Sequence, residues 1–553
     1  MKIFVAACLL MLASAELIAQ TSNTDSLVID VSNALLNQDN PSVSINRKSN
    51  NVIVIGAASD YNDMDTNGIS AFTSTDTGRT WNLFRLPLPT DQLFNYGEAS
   101  LTSDNAGNFY YAYITKDGND VTGLLDSAGS INIATSADGK LWKNASPINN
   151  NPEPLYGSPD GITITADNSS ASPHNGRIYA VWNQSYSVDT LLLKEGVYIA
   201  WSDNHCQSWT TPKLLSDGSD DYQTVRTGKN GEIFVVFSDS ANFGHQVFSS
   251  TDGGQTFSSN TINGFSHYPF FTTGIYNGET GLKGSQGIPA NPYAAFDVNT
   301  NSNRIHCVFG DYHGNVASQS YSFSDDDGKN WSAPQIIGIN LLDSADRFDP
   351  SVSVDPKTGD AYVLYYSSES DRFNILTAPY RLKLTDVLAD QGQILSPEFN
   401  PLVVEKTSTD PAYIGDHTAS DAIGGVYVGA WTQNRSGNID ADIFAFVSLT
   451  SQKNSVAMPV VVRSDNPWLS APYPNPVTAK KLSFSYYLPY FSHISFDLFD
   501  EAGRQIKHLA DKTSDEGTYT EEFDLGNTIP GTYIVRMVTV NSQLSRKFIL
   551  TAR

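Results

Sequence analysis

The sequence predicts an all-β chain: a β-propeller of seven blades, with six as the alternative count, followed by a small C-terminal β-sandwich. Three observations carry this expectation. A polar turn closed by an aromatic residue recurs five times. A longer unit, marked by one very apolar strand, recurs seven times. Beyond about residue 467 both patterns stop and the charge balance changes.

The turns come first. Ser74-Thr75-Asp76-Thr77-Gly78-Arg79-Thr80-Trp81 is one full copy. Ser250-Thr251-Asp252-Gly253-Gly254-Gln255-Thr256-Phe257 and Ser324-Asp325-Asp326-Asp327-Gly328-Lys329-Asn330-Trp331 are two more. Eroded copies end at Trp142, with Gly139 in place, and at Trp209. The Asp carboxylate and Ser hydroxyl can accept hydrogen bonds from the turn's own N–H groups. The glycine takes a positive φ, and the aromatic residue turns inward to pack. β-rich runs lie on either side, so each turn joins two antiparallel strands.

The apolar strands are easiest to see at Asn51 to Gly56, Phe109 to Tyr113, Ile178 to Trp182, Ile233 to Phe237, Ile305 to Phe309, Tyr362 to Tyr366 and Tyr427 to Trp431. Their spacing of 55 to 72 residues, with several strands per unit, is that of a propeller or an array. Continuous apolar runs fit strands covered on both faces. Ser26 to Val31 can close the ring by joining the last unit. Thr385 to Gln391 is the one stretch that reads as a helical turn.

The chain has 553 residues, too many for one ordinary domain, and a formal net charge of −25. Such acidity excludes a nucleic-acid binder, which needs a basic face. Residues 1–19 read as a secretory signal, with Lys2, an apolar core from Ile3 to Leu12, and cleavage after Ala15 or Ala19. That run is too short to span a bilayer, and no later run is long enough for a transmembrane helix. Of three cysteines, Cys8 leaves with the signal; Cys206 and Cys307 lie far apart, so no disulfide is expected.

The domains are therefore a signal at 1–19, a propeller at 26–450, a linker at 451–467 and a second domain at 468–553. From Ser470 to Arg553 there are nine acidic and nine basic residues. The negative charge sits on the propeller and linker.

The repeated turns resemble the Asp-box of bacterial-neuraminidase (BNR) repeats, in sialidase-like propellers. On that resemblance Ser74, Asp76, Gly78, Trp81, Gly139, Trp142, Trp209, Ser250, Asp252, Gly254, Phe257, Ser324, Asp326, Gly328 and Trp331 are structural. The C-terminal residues resemble the type A sorting domain of the type IX secretion system. Tyr473-Pro474-Asn475-Pro476, Leu482 to Pro489, Ile494 to Asp500 with Gly503-Arg504, Gly531 to Arg536 and Lys547 to Leu550 carry that likeness. It implies export through an outer membrane by that machinery, to the cell surface or beyond, with the tail usually removed.

The Asp-box resemblance puts ligands on the rim opposite the turns, where the innermost strands begin. Those positions are acidic: Asp39, Glu98, Asp160, Asp221, Asp349 and Asp416, with Asn291 in the fifth unit. A ring of carboxylates raises pKa values by mutual repulsion. It suits a cation, or an acid/base pair for glycoside cleavage. Candidate catalytic residues are Glu98, Asp160, Asp349, Asp416 and Tyr413. Candidate ligand-binding residues are Asp221, Arg226, Arg347, Arg372, His417 and Arg435. Asp63, Asp65 and Asn67 have the spacing of a Ca²⁺ loop, without the acid that would complete it. Sialidases have an Arg-Ile-Pro-like motif before the first Asp-box. Here Phe84-Arg85-Leu86-Pro87 follows it, on an outer strand. Two functions stay open: glycan-directed, including glycoside hydrolysis, or non-catalytic adhesion and ligand binding. In either case a glycan or surface polymer is the expected partner.

Overall fold

A computed structural model describes residues 26–32, 38–59, 69–87, 94–116, 129–148, 159–189, 192–218, 220–239, 244–262, 294–313, 316–338, 345–368, 377–384, 392–399, 414–434, 441–449, 467–469, 472, 475–477, 480–488, 492–501, 503–514, 517–526, 528–539 and 543–551. The chain divides between Lys453 and Asn454 into two compact units. Among the described residues both are all-β, with no helix.

The first unit begins with β1 (Ser26–Asp30). Six four-stranded antiparallel sheets follow in chain order. They are β2 to β5 (Gln38–Ile45, Ile53–Ser59, Ile69–Ser74, Asn82–Arg85), β6 to β9 (Phe94–Ser103, Phe109–Lys116, Ser130–Ser136, Lys143–Asn144) and β10 to β13 (Pro159–Ala166, Ile178–Asp189, Leu192–Ser202, Lys213–Ser216). Next come β14 to β17 (Asp220–Thr227, Ile233–Asp239, Gly244–Ser250, Ser258–Ile262), β18 to β21 (Ala294–Asn299, Arg304–His313, Val316–Ser324, Gln335–Ile336) and β22 to β25 (Arg347–Val354, Ala361–Ser367, Ala378–Leu384, Gln393–Ile394). The seventh sheet holds β26 to β28 (Ala419–Ile423, Val426–Asn434, Ala441–Leu449), and β1 is its fourth strand. Leu27 pairs with Val447 and Ile29 with Ala445. The first described strand and the propeller's last strands therefore share one sheet.

The cores explain why the second strands are so apolar. Each lies between two neighbouring sheets, not within one. Ile178, Ala180 and Trp182 pack with Tyr110, Ala112 and Ile114 of the second sheet. Tyr179 and Val181 pack with Val225, Ile233 and Val235 of the fourth. A strand covered on both faces must be apolar at every position. One such cluster fills each seam, including the closing seam where Ile45 and Ile55 meet Val428 and Ile443. Innermost strands touch in order around the ring, and β26 touches β2.

The repeated turns bond as their sequence suggests. The N–H groups of Gly78, Gly254 and Gly328 donate to Ser74 Oγ, Ser250 Oγ and Ser324 Oγ at 2.8, 2.9 and 3.0 Å. The carboxylates of Asp76, Asp252 and Asp326 accept from the N–H four residues on. The indoles of Trp81, Trp142 and Trp331 donate back to the carbonyls of Gly78, Gly139 and Gly328. The Trp209 indole instead reaches Ser146 O, and Cys206 fills its turn's glycine place with φ of 62°. Each turn presses on the preceding sheet: a Cβ on Gly78 would lie 2.5 Å from Val447 Cγ2. The last two sheets use another clamp. Arg381 Nη1 donates to Ser448 Oγ at 2.7 Å, and its guanidinium lies over the Tyr362, Tyr427 and Phe446 rings.

The second unit holds β29 to β35 (Trp468–Leu469, Lys481–Leu488, Ser492–Asp500, Gln505–Ser514, Gly517–Asp524, Gly531–Thr539, Gln543–Leu550). They form one three-stranded and one four-stranded sheet around a core that includes Phe484, Tyr486, Phe496, Val535 and Phe548. This is a small sandwich. Cys206 and Cys307 are both buried and free. Thr385 to Gln391 lies outside the described residues.

Candidate functional site

Five of the seven innermost strands share one irregularity near their leading ends. Pairing with the second strand skips between Asp39 and Ser42, Gly97 and Ser100, Asp160 and Thr163, Asp221 and Thr224, and Phe348 and Ser351. The first unpaired residue is left-handed every time: Asn40, Glu98, Gly161, Tyr222 and Asp349, with φ of 48°, 59°, 61°, 58° and 49°. A bulge of this kind re-aims its side chain. For a residue other than glycine the conformation costs roughly 1–2 kcal/mol. Two of the five positions place an acid there.

A hydroxyl follows two residues later: Ser42, Ser100, Thr163, Thr224 and Ser351. Most of these tie neighbouring sheets. Leu101 N donates to Ser42 Oγ and Ile164 N to Ser100 Oγ, both at 2.9 Å. Thr163 Oγ1 donates to Gln223 O at 3.2 Å, and Ser351 Oγ to Ser420 Oγ at 3.1 Å. The bulges are thus held in a rigid collar.

Four of the predicted acids join in one electrostatic group. Glu98 is half-buried, and its carboxyl hydrogen-bonds that of Asp160, which is exposed. Burial pushes Glu98 well above the usual carboxyl range; the charges of Asp160 and Asp416, and the bond to Asp160, push it further. Asp349 is 1% exposed, and among the described residues no donor reaches either carboxyl oxygen. Burial, then the charge of Asp416, pushes it well above its usual range too. Glu98 faces the next sheet's Asp160, and Asp349 faces Asp416, which leads into its own next sheet. Asp416 links the two pairs, since its charge acts on both. Asp416 N donates to Asn40 Oδ1 at 2.6 Å, and Thr418 Oγ1 donates to Asp349 O at 2.9 Å. His417 is half-buried, and burial lowers it to about 4, so it is neutral at pH 7.

The arginines are placed otherwise. Arg226 does not reach these acids: it lies near the other end of β14, with Nε 3.4 Å from Asp297 Oδ1. Its own strand carried it five residues beyond Asp221, roughly 16 Å of extended chain. Arg347 starts β22 but is 2% exposed, wedged against Gly338 beside the fifth sheet. Arg85 ends an outermost strand, β5. Asp221 lies in β14, paired with Ser238. Tyr413, Arg372, Arg435, Asn291, Asp63, Asp65 and Asn67 lie outside the described residues. Among the described residues no cluster of three or more His, Cys, Asp or Glu side chains has metal-site geometry.

The sequence did not single out Asn40, which holds the Asp416 segment, or the bulge itself. The recurring hydroxyl two places after the bulge was the available signal.

Solved structures with a similar chain path are sialidases and other glycoside hydrolases. A Hadza microbial sialidase is 12% identical over 74% of this chain and 65% of its own, with a TM-score of 0.38. An α-L-arabinofuranosidase from Fusarium graminearum is 13% identical over 64% and 93%, at 0.39. The Phage phi92 endosialidase is 10% identical over 95% and 87%, at 0.43. No curated protein matches the sequence. These likenesses concern architecture; what the rim can do depends on its own side chains. The tail is more specific. Residues 471–551 match the secretion system C-terminal sorting domain, and the protein is accordingly one exported by the type IX route to the cell surface or the extracellular space.

Proposed function

We propose that the propeller is glycan-directed and that its rim cleaves a glycosidic bond, with Glu98 as proton donor and Asp416 as the facing carboxylate. One observation supports this above the others. Glu98 sits in a left-handed bulge, half-buried and hydrogen-bonded to a second carboxyl, so that it keeps its proton where an ordinary glutamate has lost it. A donor to a leaving sugar oxygen needs that property.

Glu98 and Asp160 are hydrogen-bonded, too close to be the two carboxyls roughly 5–10 Å apart that flank a glycosidic bond. Asp160 instead fixes the proton's position on Glu98. Asp416 takes the second role, stabilising positive charge on the sugar or activating water. A sialic-acid carboxylate would call for guanidinium forks, and neither Arg226 nor Arg347 is placed to supply one. A second reading, binding without catalysis, is favoured by the spread of these acids over three different sheets and the segment leading into a fourth.

The test is incubation of the full mature chain with a panel of oligosaccharides, sialosides included, with released sugar as readout. Turnover is expected on at least one, falling about 100-fold or more in Glu98→Gln with the fold intact. Measurable binding without turnover on any of them selects the second reading.

A further inference from the structure

The second unit carries one polar group that its own fold leaves unanswered. In its four-stranded sheet β31 and β34 lie at the centre, flanked by β32 and β35. Side chains alternate between the two faces of such strands. Ile494, Phe496, Leu498, Val535 and Met537 face the core. The positions between them lie on the outer face, where the register sets Arg536 between Asp497 of β31 and Ser545 of β35. Phe499, Ile534, Val538 and Ile549 share that face, and Ile549 is 46% exposed.

The Arg536 guanidinium lies over the Phe499 ring, with Cζ 4.0 Å from its centroid. Its Nε is buried, and among the described residues no acceptor reaches it. Asp497, directly opposite, is engaged on its other side. Gln505 Nε2 donates to its Oδ1 at 2.8 Å, and His508 Nδ1 lies 2.7 Å from the same atom. Every other described Lys and Arg of this unit has a hydrogen bond or an ion pair. Among the described residues Arg536 has neither.

A donor left covered and unbonded carries a cost that an acceptor from a partner would relieve. Stacking on Phe499 holds the guanidinium in place, so little freedom is lost on binding. Its planar fork matches the two oxygens of a carboxylate. An arginine among apolar side chains is where interface energy concentrates. A lipid surface would call for several free cations together. Here Lys547, two residues along β35 from Ser545, is paired with Glu501 at 3.1 Å.

We propose that this outer face docks a protein of the export machinery, and that Arg536 grips a carboxylate which that partner presents among apolar side chains. The sorting-domain match gives the class of partner. Arg536 and its surroundings give the face and the chemistry. None of this depends on what the propeller binds.

The experiment is export of the full chain from a type IX-competent bacterium, read as the fraction of chain outside the cell. Melting of each purified full-chain variant is measured beside it. Arg536→Met should lower export about tenfold or more, as loss of an interface anchor would. The sandwich transition should not fall, because no hydrogen bond within the protein is lost and an apolar stem still covers Phe499. Arg536→Lys should recover little export, since an ammonium lacks the fork. Lys547→Met should export normally. Suppressors of Arg536→Glu should exchange an acidic for a basic residue in a component of the machinery. Normal export of Arg536→Met overturns the proposal. So does a loss of export that comes with a lower sandwich transition, which marks a structural role. An equal loss in Lys547→Met, or Arg536-dependent binding of the full chain to phosphatidylglycerol vesicles, shows a general anionic surface instead and overturns it too. A suppressor selection that is empty or holds only uncharged exchanges overturns the carboxylate.

Discussion

Glu98 and Asp349 occupy the same bulge position in two sheets, and burial raises both. Their consequences differ by role. Glu98 acts in its protonated form, so turnover should hold below its raised pKa and fall as pH climbs through it. Glu98→Gln should lack that alkaline limb in its residual rate, which a pH–rate profile would reveal. For Asp349 the linkage is with stability. Its folded pKa is raised, so its contribution is full below the ordinary carboxyl value and is lost as pH rises through the raised one. Asp349→Asn should therefore raise the melting temperature at pH 7, by a few degrees, and change it little at pH 4. The acids themselves were legible in the sequence, because each opens an inner strand. Their strained setting was not, since a bulge depends on register with a partner strand. Arg226 was misleading for the same reason: whether it belongs to one rim or the other depends on which way its strand runs and how far.

At the scale of the element, the repeated turn is a self-contained hydrogen-bonded unit, which is why its sequence alone revealed it. Asp252 shows the chemistry most plainly: the hydroxyl and N–H of Thr256 hold its carboxyl down to about 2. Its contribution is present above the ordinary carboxyl value and is lost as pH falls toward 2. Asp252→Ala should cause only a small fall in melting temperature, about 2 °C, and leave turnover unchanged, because the turn is exposed. Gly78→Ala should cost more, about 1–3 kcal/mol in a denaturant titration, since its Cβ would meet Val447 and its φ is 80°. The last two sheets were harder to read. Arg381 joins them through stacked rings and hydrogen bonds contributed from β23, β24, β25, β27 and β28, and no local pattern in the sequence encodes such a gathering.

For the whole molecule, seven seams share the work of holding the first unit together, and one of them closes on β1. Removing residues 26–32 should strip the seventh sheet of its fourth strand and with it the bonds of Ser32 to Asp442 and Ile443. Calorimetry should then show the propeller transition several degrees lower, with the sandwich transition unmoved, because the two units are separately compact. Ring closure was legible as an apolar segment with no unit of its own, and the closed cycle of seams was implicit in seven doubly buried strands. The same closure has a kinetic meaning. Ile443 N bonds a side chain 411 residues away in sequence. Loop closure over that span makes ring completion a late and slow step of folding. Until the chain has been made through Leu449, β1 has no partner, and until β1 docks, β28 is a bare edge on which a strand from another molecule could pair. The protein's vulnerable period is thus the interval between emergence of the seventh sheet and arrival of its first-made strand.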